Sequence, residues 1–478
     1  MPHTLKNKLV MKKTDLVFNF FLLLLVLTPL PFGSNRPWAS DLCAVLSSGL
    51  LGCLAWMIFY HPALFPTGGP NRRLAVSASL LGLCVVWILF QTLSWTPASW
   101  HHPLWEGVST FSPPAAGAIS VDPTLMAGSL ARLLCYVAFF LFAFILGRDA
   151  GRAKRMVKVL AFAAVGYAVY GLCVQATGSD TILWFHKWSY WGFLTSTFVN
   201  KNSYATYAGL GFLCCLTLLW QKISLKPIQG QSSRAVLAAL VEKFATQDIF
   251  YLLMAFTVLG ALILTGSRAG FVSLLAGLSV FTVGLAINRR VRPLKLLVII
   301  AVSVGLLGSV LLLGGDELVE RLSTSNVEAE APMRLSVYKL AWQSVFDNPW
   351  RGFGLGTFDT AFRLYRDATV SIWVQHAHND YVEMLMDLGV PAALMLWSAF
   401  LLMVGCCLDG LWQRQRMGEI PALGLGVSAI AATHALADFS LHIPAVSLTY
   451  AAILGLGVAQ SWSSRTAVKL PSRNRAAR

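Results

Sequence analysis

The chain has 478 residues, of which 56% are hydrophobic and only 12% are charged, with a formal net charge of +15. Soluble domains carry about 25% charged residues, so this composition excludes an ordinary soluble protein. The apolar residues form blocks long enough to cross a bilayer, about 20 residues each, which predicts an all-α polytopic membrane protein. The positive charge lies mostly in short connecting segments, so it indicates contact with lipid headgroups and no nucleic-acid binding.

The amino-terminal segment carries four lysines ahead of an apolar run from Leu16 to Leu30. Signal peptides have the same order of charge and apolar residues, but no small-residue cleavage site follows here. We therefore expect an uncleaved first span, with the amino terminus in the cytoplasm.

The apolar blocks predict about twelve transmembrane helices. They lie near residues 16–32, 41–60, 74–94, 127–147, 156–177, 204–221, 248–265, 270–288, 294–313, 389–408, 420–436 and 443–461. Alternation from a cytoplasmic amino terminus places most Lys and Arg residues on the cytoplasmic side, among them the basic tail 463–478. This distribution follows the positive-inside rule and predicts that both termini are cytoplasmic.

Three long segments connect spans on the predicted outer side, at residues 94–124, 178–203 and 314–388. The first two are rich in aromatic residues, which is typical of a membrane interface. Because irregular backbone cannot face lipid, the third is expected to form a small helical cap on the outer face. The predicted organisation is thus a first membrane unit of about nine spans over residues 1–313, the cap, and a last unit of about three spans over residues 389–462.

The predicted cap contains several separate elements. Residues 316–332 are acidic and are predicted to be irregular, whereas apolar residues at helical spacing predict a helix over residues 333–345. The pair Asn348-Pro349 ends that helix. A short helix over residues 359–366 follows, and residues 376–388 are predicted to be helical.

The nine cysteines all lie inside apolar runs, and none forms a C-x-x-C pair or has a histidine at ligand spacing. This pattern does not indicate a zinc site. It predicts buried cysteines that behave as small apolar residues. They are Cys43, Cys53, Cys84, Cys135, Cys173, Cys214, Cys215, Cys406 and Cys407.

Arg268 lies in the turn Thr265–Gly270, between two predicted spans. A charged group near hydrocarbon is costly, and such residues are usually functional. A guanidinium held in place binds a phosphate or a carboxylate through two parallel hydrogen bonds. The alternative is that the charged end reaches the lipid headgroups while its stem stays in apolar surroundings.

Arg334 begins the predicted cap helix, and Tyr338 follows one turn later. This spacing fits a binding face, but it also fits an ordinary solvated helix face. Gly354 and Gly356 belong to a G-x-G-x-G loop, in which the missing side chains let the backbone approach a ligand closely. The loop follows no predicted strand, so a dinucleotide-binding fold is not indicated.

Two histidines, an amide and a carboxylate fall within five residues, at His376, His378, Asn379 and Asp380. His378 is the candidate general base, because an imidazole pKa near 6.5 suits proton abstraction at neutral pH. On a helix, His376 and Asp380 would point away from it, whereas on a strand or loop they could join it and leave a metal site open. The spacing does not match the H-E-x-x-H motif of zinc hydrolases.

Five stretches resemble the O-antigen ligase and polymerase superfamily of bacterial inner membranes. They are FVNKNSYATY (198–207), TGSRAG (265–270), MRLSVYKLAWQSVFDNPWRGFGLGTF (333–358), HAHNDYVEMLMDLGVPAALM (376–395) and HALADFSLHIPA (434–445). They look like the family's Asn-x-Asn entry to a span, its Ser-Arg-x-Gly turn, its Arg-initiated helix with a glycine loop, its His-Asn signature, and its pattern between the last two spans. Their order along the chain makes the match specific.

One position departs from the family pattern. The ligase form of the His-Asn signature commonly has Gly, Thr or Tyr three residues after its glycine, whereas this chain has Ala392. The departure weakens an assignment to lipopolysaccharide ligase in particular, but not to the superfamily.

The resemblance implies a GT-C-like glycosyltransferase that uses no cofactor and no metal. Such enzymes take a saccharide from undecaprenyl diphosphate on the periplasmic side and pass it to an acceptor hydroxyl with inversion at the anomeric carbon. By motif, His378 would be the general base, and Arg268 and Arg334 would hold the diphosphate. The expected supporting residues are Asn200, Lys201, Asn202, Gly354, Gly356, His376, Asn379, Asp380 and Asp438.

The sequence leaves the acceptor open. A lipid A core would make the protein an O-antigen ligase, a growing glycan would make it a surface-polysaccharide polymerase, and a protein hydroxyl would make it a protein O-oligosaccharyltransferase. Outside this class, a transporter is the main alternative, although transporters tend to show internal repeats, and none is apparent here. A membrane scaffold without activity is the least specific alternative.

Overall fold

The structure, a computed structural model, describes residues 3–60, 62, 72–108, 116–222, 249–287, 293–323, 327–414 and 417–462. Within these residues the protein is almost entirely helical, which confirms the predicted all-α class. The α-helices are α1 His3–Leu27, α2 Pro37–Tyr60, α3 Arg72–Phe90, α4 Leu104–Val108, α5 Met126–Leu146, α6 Ala150–Ala176, α7 Lys201–Lys222, α8 Ile249–Leu264, α9 Arg268–Ile287, α10 Pro293–Ser323, α11 Val327–Asp347, α12 Phe358–Phe362, α13 Asp380–Leu388, α14 Val390–Gln413, α15 Glu419–His434 and α16 Pro444–Ala459. Among the described residues, the strands are β1 Thr181–Ile182 and β2 Phe185–His186, which pair in antiparallel register.

Every predicted span overlaps one of these helices. Among the described residues, seven helices are long and apolar enough to cross a membrane: α2, α3, α5 with the turn before it, α6, α7, α9 and α14. Three shorter apolar helices accompany them, namely α8, the first part of α10, and α16. The protein is therefore a multi-pass membrane protein, as the composition predicted.

Helix α7 is the centre of the bundle. Its apolar window is wholly buried, and α6, α8, α9, α15 and α16 all contact it. Its first turn follows Asn200 directly and lies at the end of the bundle that carries His378, which we call the site end. A helix enclosed on all sides has little freedom to move, so it is a rigid support for the residues at that end.

Glycines bring the helices close together where the bundle is tightest. A Cβ on Gly277 of α9 would lie 2.8 Å from the carbonyl oxygen of Gly426 in α15, and a Cβ on Gly211 of α7 would lie 2.2 Å from the Cβ of Ala164 in α6. Lipid tails are as apolar as leucine, so helices in a bilayer associate through close contacts of this kind. The short interhelical distances fix the positions of the helix ends at the site.

The segment between α10 and α14 encloses an apolar cluster of its own. Val337 of α11, Phe353, Phe358 of α12, Val374 and Met386 of α13 are among its buried residues. The cluster holds α11, α12 and α13 together as a compact unit over the site end. The segment is helical, as expected from the sequence, whereas its role as a separate cap and the side of the membrane on which it lies stay predictions.

Three details of the predicted cap were wrong. Residues 316–332 are largely helical, because α10 extends to Ser323 and α11 begins at Val327; Glu and Leu are good helix formers whatever their charge. The short helix predicted over residues 359–366 ends at Phe362. The helix predicted over residues 376–388 begins only at Asp380.

Candidate active site

The late start of α13 leaves both histidines of the signature in irregular backbone. Asn379 is the N-cap: its side-chain oxygen accepts hydrogen bonds from the backbone N–H groups of Tyr381 and Val382 at 3.0 and 3.2 Å. Asparagine favours this position because it satisfies N–H groups that have no partner in the first turn. His376 and His378 therefore do not follow helical spacing, and their side chains are not forced to opposite faces of a helix.

His378 is held in an uncommon conformation. Its φ is +52°, in the left-handed region that few residues other than glycine adopt. Its carbonyl oxygen accepts a hydrogen bond of 2.8 Å from the hydroxyl of Tyr338 in α11. Strained backbone of this kind persists where the surroundings fix it, and it often occurs at functional sites. The backbone bond to Tyr338 is one of the contacts that fix it here.

The side chain of His378 pairs with Asp438, in the turn after α15. Nδ1 of His378 lies 3.2 Å from Oδ1 of Asp438, whose side chain is fully buried. Burial alone would raise the pKa of Asp438, but the contact with His378, the nearby His434 and the N–H of Phe439 outweigh it and hold that pKa well below its usual range. The carboxylate is thus ionised and can only accept hydrogen bonds.

This pairing sets the chemistry of the imidazole. Because the Asp438 carboxylate accepts at Nδ1, the neutral ring of His378 carries its proton there and leaves Nε2 with a lone pair. The imidazolium that forms when Nε2 takes up a proton is stabilised by the same carboxylate. The side chain is 24% exposed, so Nε2 can be reached from the site end. The arrangement is that of a general base with an orienting carboxylate.

The pair of His378 and Asp438 is called the dyad below. Asn202, in the first turn of α7, connects the dyad to the centre of the bundle. Its Nδ2 donates a short hydrogen bond to Oδ2 of Asp438, and its backbone N–H donates to Oδ1 of Asn200 at 2.8 Å. Lys201 turns elsewhere: its ammonium lies 3.4 Å from the centre of the Phe193 ring. Of the three polar residues predicted here, Asn202 contacts the dyad directly and Asn200 supports it.

Arg268 is the first residue of α9, next to the start of α7. The turn before it is shaped by Gly266, whose φ is +61°, and a Cβ there would lie 3.9 Å from Nζ of Lys201. Nε and Nη2 of Arg268 are buried, and neither has a hydrogen-bond partner among the described residues. Two buried guanidinium nitrogens without partners argue against simple extension to the headgroups, because leaving such donors unsatisfied is costly. An anionic ligand would supply the missing acceptors.

Arg334 lies one turn before Tyr338 on α11, so the two share a helix face. Burial raises the pKa of Tyr338, while the charge of Arg334 acts against that rise and the charge of Asp438 adds to it. Arg334 and Asp438 are therefore both within electrostatic range of the Tyr338 hydroxyl, which bonds to His378. The predicted cation of the cap helix thus belongs to the surroundings of the dyad.

The glycine loop makes its close approaches to the chain itself. A Cβ on Gly354 would lie 2.1 Å from Oγ of Ser120, and one on Gly356 would lie 2.0 Å from Oγ of Ser129. The N–H of Gly356 donates to Oδ2 of the buried Asp387 at 2.6 Å. The geometry accounts for these glycines as structural residues that join the cap to α5, and their contact with a ligand stays a prediction.

A second group of titratable side chains lies beside the dyad. Nδ1 of His376 is 2.9 Å from Oε1 of Glu383, and Nε2 of His442 is 3.3 Å from the same oxygen and 3.2 Å from Oδ1 of Asp380. Burial alone would raise the pKa of Glu383, but His442 and His376 bring it to about 2. The rings of His376 and His378 both contact Phe439, with centroids 4.5 and 5.0 Å from its own.

Three residues near the site were not predicted as site residues from the sequence: His442, Glu383 and Arg132. His442 had a signal, since it stands in the quoted 434–445 stretch, and Glu383 follows Asp380 at a spacing that shares a helix face. Arg132 lies within α5, where a charged residue in an apolar run is itself a signal. Its Nε is buried without a hydrogen-bond partner in the described part of the chain.

The site residues thus fall into two groups. His378, Asp438, Asn202 and Asn379 are linked by direct hydrogen bonds or by sequence, with Arg334 close to them through Tyr338. The other predicted residues lie around this centre: Arg268 and Lys201 at the junction of α7 and α9, Gly354 against Ser120, Gly356 against Ser129 of α5, and His376 and Asp380 in the second titratable group.

Comparison with known families gives one match. Residues 253–397 match a family model described as O-Antigen ligase. The matched segment contains Arg268, Arg334 and His378, and it ends within α14. Comparison with curated proteins found no match. The resemblance to the O-antigen ligase and polymerase superfamily is therefore confirmed over this segment, which supports an O-antigen-ligase type of function.

Proposed function

We propose that this protein, with its O-antigen ligase segment, transfers a saccharide or polysaccharide from undecaprenyl diphosphate to an acceptor hydroxyl. The acceptor hydroxyl belongs to a lipid A core or a growing surface polysaccharide, with a protein hydroxyl as the alternative. The protein lies in the bacterial inner membrane with both termini in the cytoplasm, and the site end faces the periplasm. The single observation that carries this proposal is the His378–Asp438 pair, which provides a base oriented by a carboxylate.

His378 starts the reaction. Its Nε2 removes the proton of the acceptor hydroxyl as that oxygen attacks the anomeric carbon of the donor sugar. The new bond forms between the acceptor oxygen and the anomeric carbon, while the bond from that carbon to the diphosphate oxygen breaks. Attack opposite to the leaving group inverts the anomeric configuration. The proton remains on His378, where Asp438 stabilises the imidazolium until it returns to solvent.

The arginines act on the leaving group. Arg268 and Arg334 bind the diphosphate of the donor, and their charges offset the negative charge that builds up as undecaprenyl diphosphate departs. Guanidinium suits this task because its planar fork bonds two phosphate oxygens at once. The buried Nε and Nη2 of Arg268, which lack acceptors among the described residues, are the donors that a diphosphate would satisfy.

The activity and its acceptor are tested in two steps. Purified protein in lipid vesicles is given an undecaprenyl-diphosphate oligosaccharide and a candidate acceptor, and release of the diphosphate lipid is measured together with the glycosylated product. Deletion of the gene then identifies the acceptor in the cell: lipopolysaccharide loses its polymer, an exopolysaccharide disappears, or a protein loses its glycan. Absence of transfer with all three acceptor classes would contradict the proposal.

A further inference from the structure

We propose that His376, Glu383 and His442 form a binding site for a divalent transition metal, with zinc as the best match. One donor atom from each of these residues lies within 4.8 Å of the others. The site is separate from the His378–Asp438 dyad, and the glycosyl transfer proposed above does not require it. The proposal therefore stands or fails independently of that activity.

The donor set suits zinc in both kind and position. Nδ1 of His376 and Nε2 of His442 converge on one oxygen, Oε1 of Glu383, at 2.9 and 3.3 Å. Zinc binds imidazole nitrogen and carboxylate oxygen at about 2.0–2.2 Å in a tetrahedral arrangement, which places neighbouring donors about 3.4 Å apart. The three donor atoms, which all lie within 4.8 Å of one another, are close to that spacing.

Asp380 supplies an independent indication that the cluster takes a cation. It lies three residues before Glu383 on α13, so both carboxylates face the same side of the helix. Its Oδ1 is buried and has no hydrogen-bond partner in the described residues, although Nε2 of His442 is only 3.2 Å away. A buried carboxylate oxygen without a bond is unfavourable. A metal at the centre of the cluster would bind this oxygen as a fourth ligand.

An ion can reach the cluster without opening the fold. The side chains of His376 and His442 are 24% and 20% exposed, while Glu383 and Asp380 are buried behind them. This order, with nitrogen ligands at the rim and carboxylates at the base, leaves an entry path from the site end. The alternative is that no metal binds and that the histidines are protonated and form ion pairs with the two carboxylates.

A bound metal would connect the two segments that carry the dyad. His376 and Glu383 lie on either side of His378, and His442 follows Asp438 by four residues. Coordination would therefore tie the start of α13 to the turn after α15. We infer that the bound metal links these two segments and that its binding stabilises the folded state.

Metal binding is measured on full-length protein purified in detergent without a polyhistidine tag. After dialysis against a chelator and then against metal-free buffer, Co²⁺ or Zn²⁺ is added alone. We expect one equivalent to bind, Co²⁺ to give the visible absorption of a four-coordinate site, and Zn²⁺ to raise the thermal unfolding midpoint. His442→Gln and His376→Gln should weaken binding by more than the about 10–100-fold that loss of an outer-shell partner costs.

Two variants serve as controls. His186→Gln removes an exposed histidine of β2 that lies outside the cluster, and His378→Ala removes the base while leaving all four proposed ligands. Both should bind one equivalent like the wild type. Every variant keeps the nine cysteines, which are the competing zinc ligands, so any binding by them stays constant across the set.

Several results would overturn the proposal. No stoichiometric binding to the wild type would mean that the cluster is a proton-bridged network only. Equal affinity in wild type and His442→Gln would place the metal elsewhere, as would an equal rise of the unfolding midpoint with Zn²⁺. Glu383→Gln removes a buried group and is at risk of misfolding, so the two partly exposed histidines are the deciding positions.

Discussion

Nδ1 of His378 lies 3.2 Å from Oδ1 of Asp438, and the other oxygen of that carboxylate accepts a hydrogen bond from Asn202. The three residues come from the segment before α13, the turn after α15 and the first turn of α7. The carboxylate is thus held from the centre of the bundle while it pairs with the His378 imidazole. This geometry predicts that Asp438 acts by setting the tautomer of His378.

Replacement of Asp438 by Asn tests that role. The amide can donate to Nδ1, which would move the ring proton to Nε2 and remove the lone pair that accepts the acceptor proton. We expect turnover to fall by about 10²–10⁴-fold, with a much smaller change in KM for the donor. The matched control is Asp359→Asn in α12, which changes a partly exposed carboxylate that pairs with Arg363. Unchanged turnover in Asp438→Asn would show that the carboxylate does not orient the base.

Replacement of His378 by Ala removes the proposed base itself. We expect transfer to become undetectable while membrane insertion and the elution profile in detergent stay normal, because the side chain is partly exposed and not part of an apolar core. His186→Ala, an exposed histidine in β2, should keep full activity. Normal glycan transfer by His378→Ala would eliminate this residue as the base.

Arg268→Lys separates the shape of the cation from its charge. Lysine keeps one positive charge but cannot offer two parallel donors to a diphosphate. Loss of one charged hydrogen bond of about 1.5–3 kcal/mol predicts a fall in kcat/KM of about 10–100-fold. The control Arg73→Lys changes an arginine that pairs with Asp409, and it should be close to neutral. Full activity in Arg268→Lys would favour the alternative that this guanidinium only contacts lipid headgroups.

The features that could be predicted from the sequence are those that depend on nearby residues in the chain. Apolar blocks located the helices of the bundle, and the chemistry of imidazole and guanidinium singled out His378 and Arg268. The pairing of His378 with Asp438 joins residues 60 positions apart, and no local spacing reveals such a contact. The start of α13 did have a local signal, since Asn379 is a favoured N-cap, but the apolar periodicity that continues past it obscured the boundary.

Other features depended on neighbours that only the folded chain supplies. The sequence predicted that Gly354 and Gly356 approach a ligand closely, whereas the close approaches in the fold are to Ser120 and Ser129, which lie in a different part of the sequence. His442 joins Asp380 and Glu383 because α16 is preceded by a turn that folds back against α13. Tertiary contacts of this kind decide which polar residues form one site.

The His442 cluster predicts a specific pH dependence of stability. Burial alone would lower the pKa of His442, but Glu383 and Asp380 outweigh it and raise the pKa to about 9. A raised histidine pKa gives stabilisation that is full below about pH 6.5 and is lost as the pH rises through 9. In chelator, the unfolding midpoint of the wild type should therefore fall more steeply from pH 6.5 to 9 than that of His442→Gln. Parallel curves would show that His442 is not charged in the folded protein.

Gly389 joins α13 to α14, and its replacement by Ala tests how closely this junction packs against the backbone at Trp350. Its φ of +76° with ψ of 159° is a conformation that is essentially restricted to glycine, and a Cβ would lie 2.8 Å from the backbone of Trp350. Gly192 has a φ of +75° but a Cβ there meets no atom within 4 Å, so Gly192→Ala isolates the cost of the backbone angle. We expect about 1 kcal/mol of destabilisation for Gly192→Ala and about 3 kcal/mol or more for Gly389→Ala, measured by unfolding in detergent. Equal destabilisation by the two substitutions would mean that the 349–352 turn moves away freely. The position of α13, and with it that of His378, would then be less rigid than the contacts indicate.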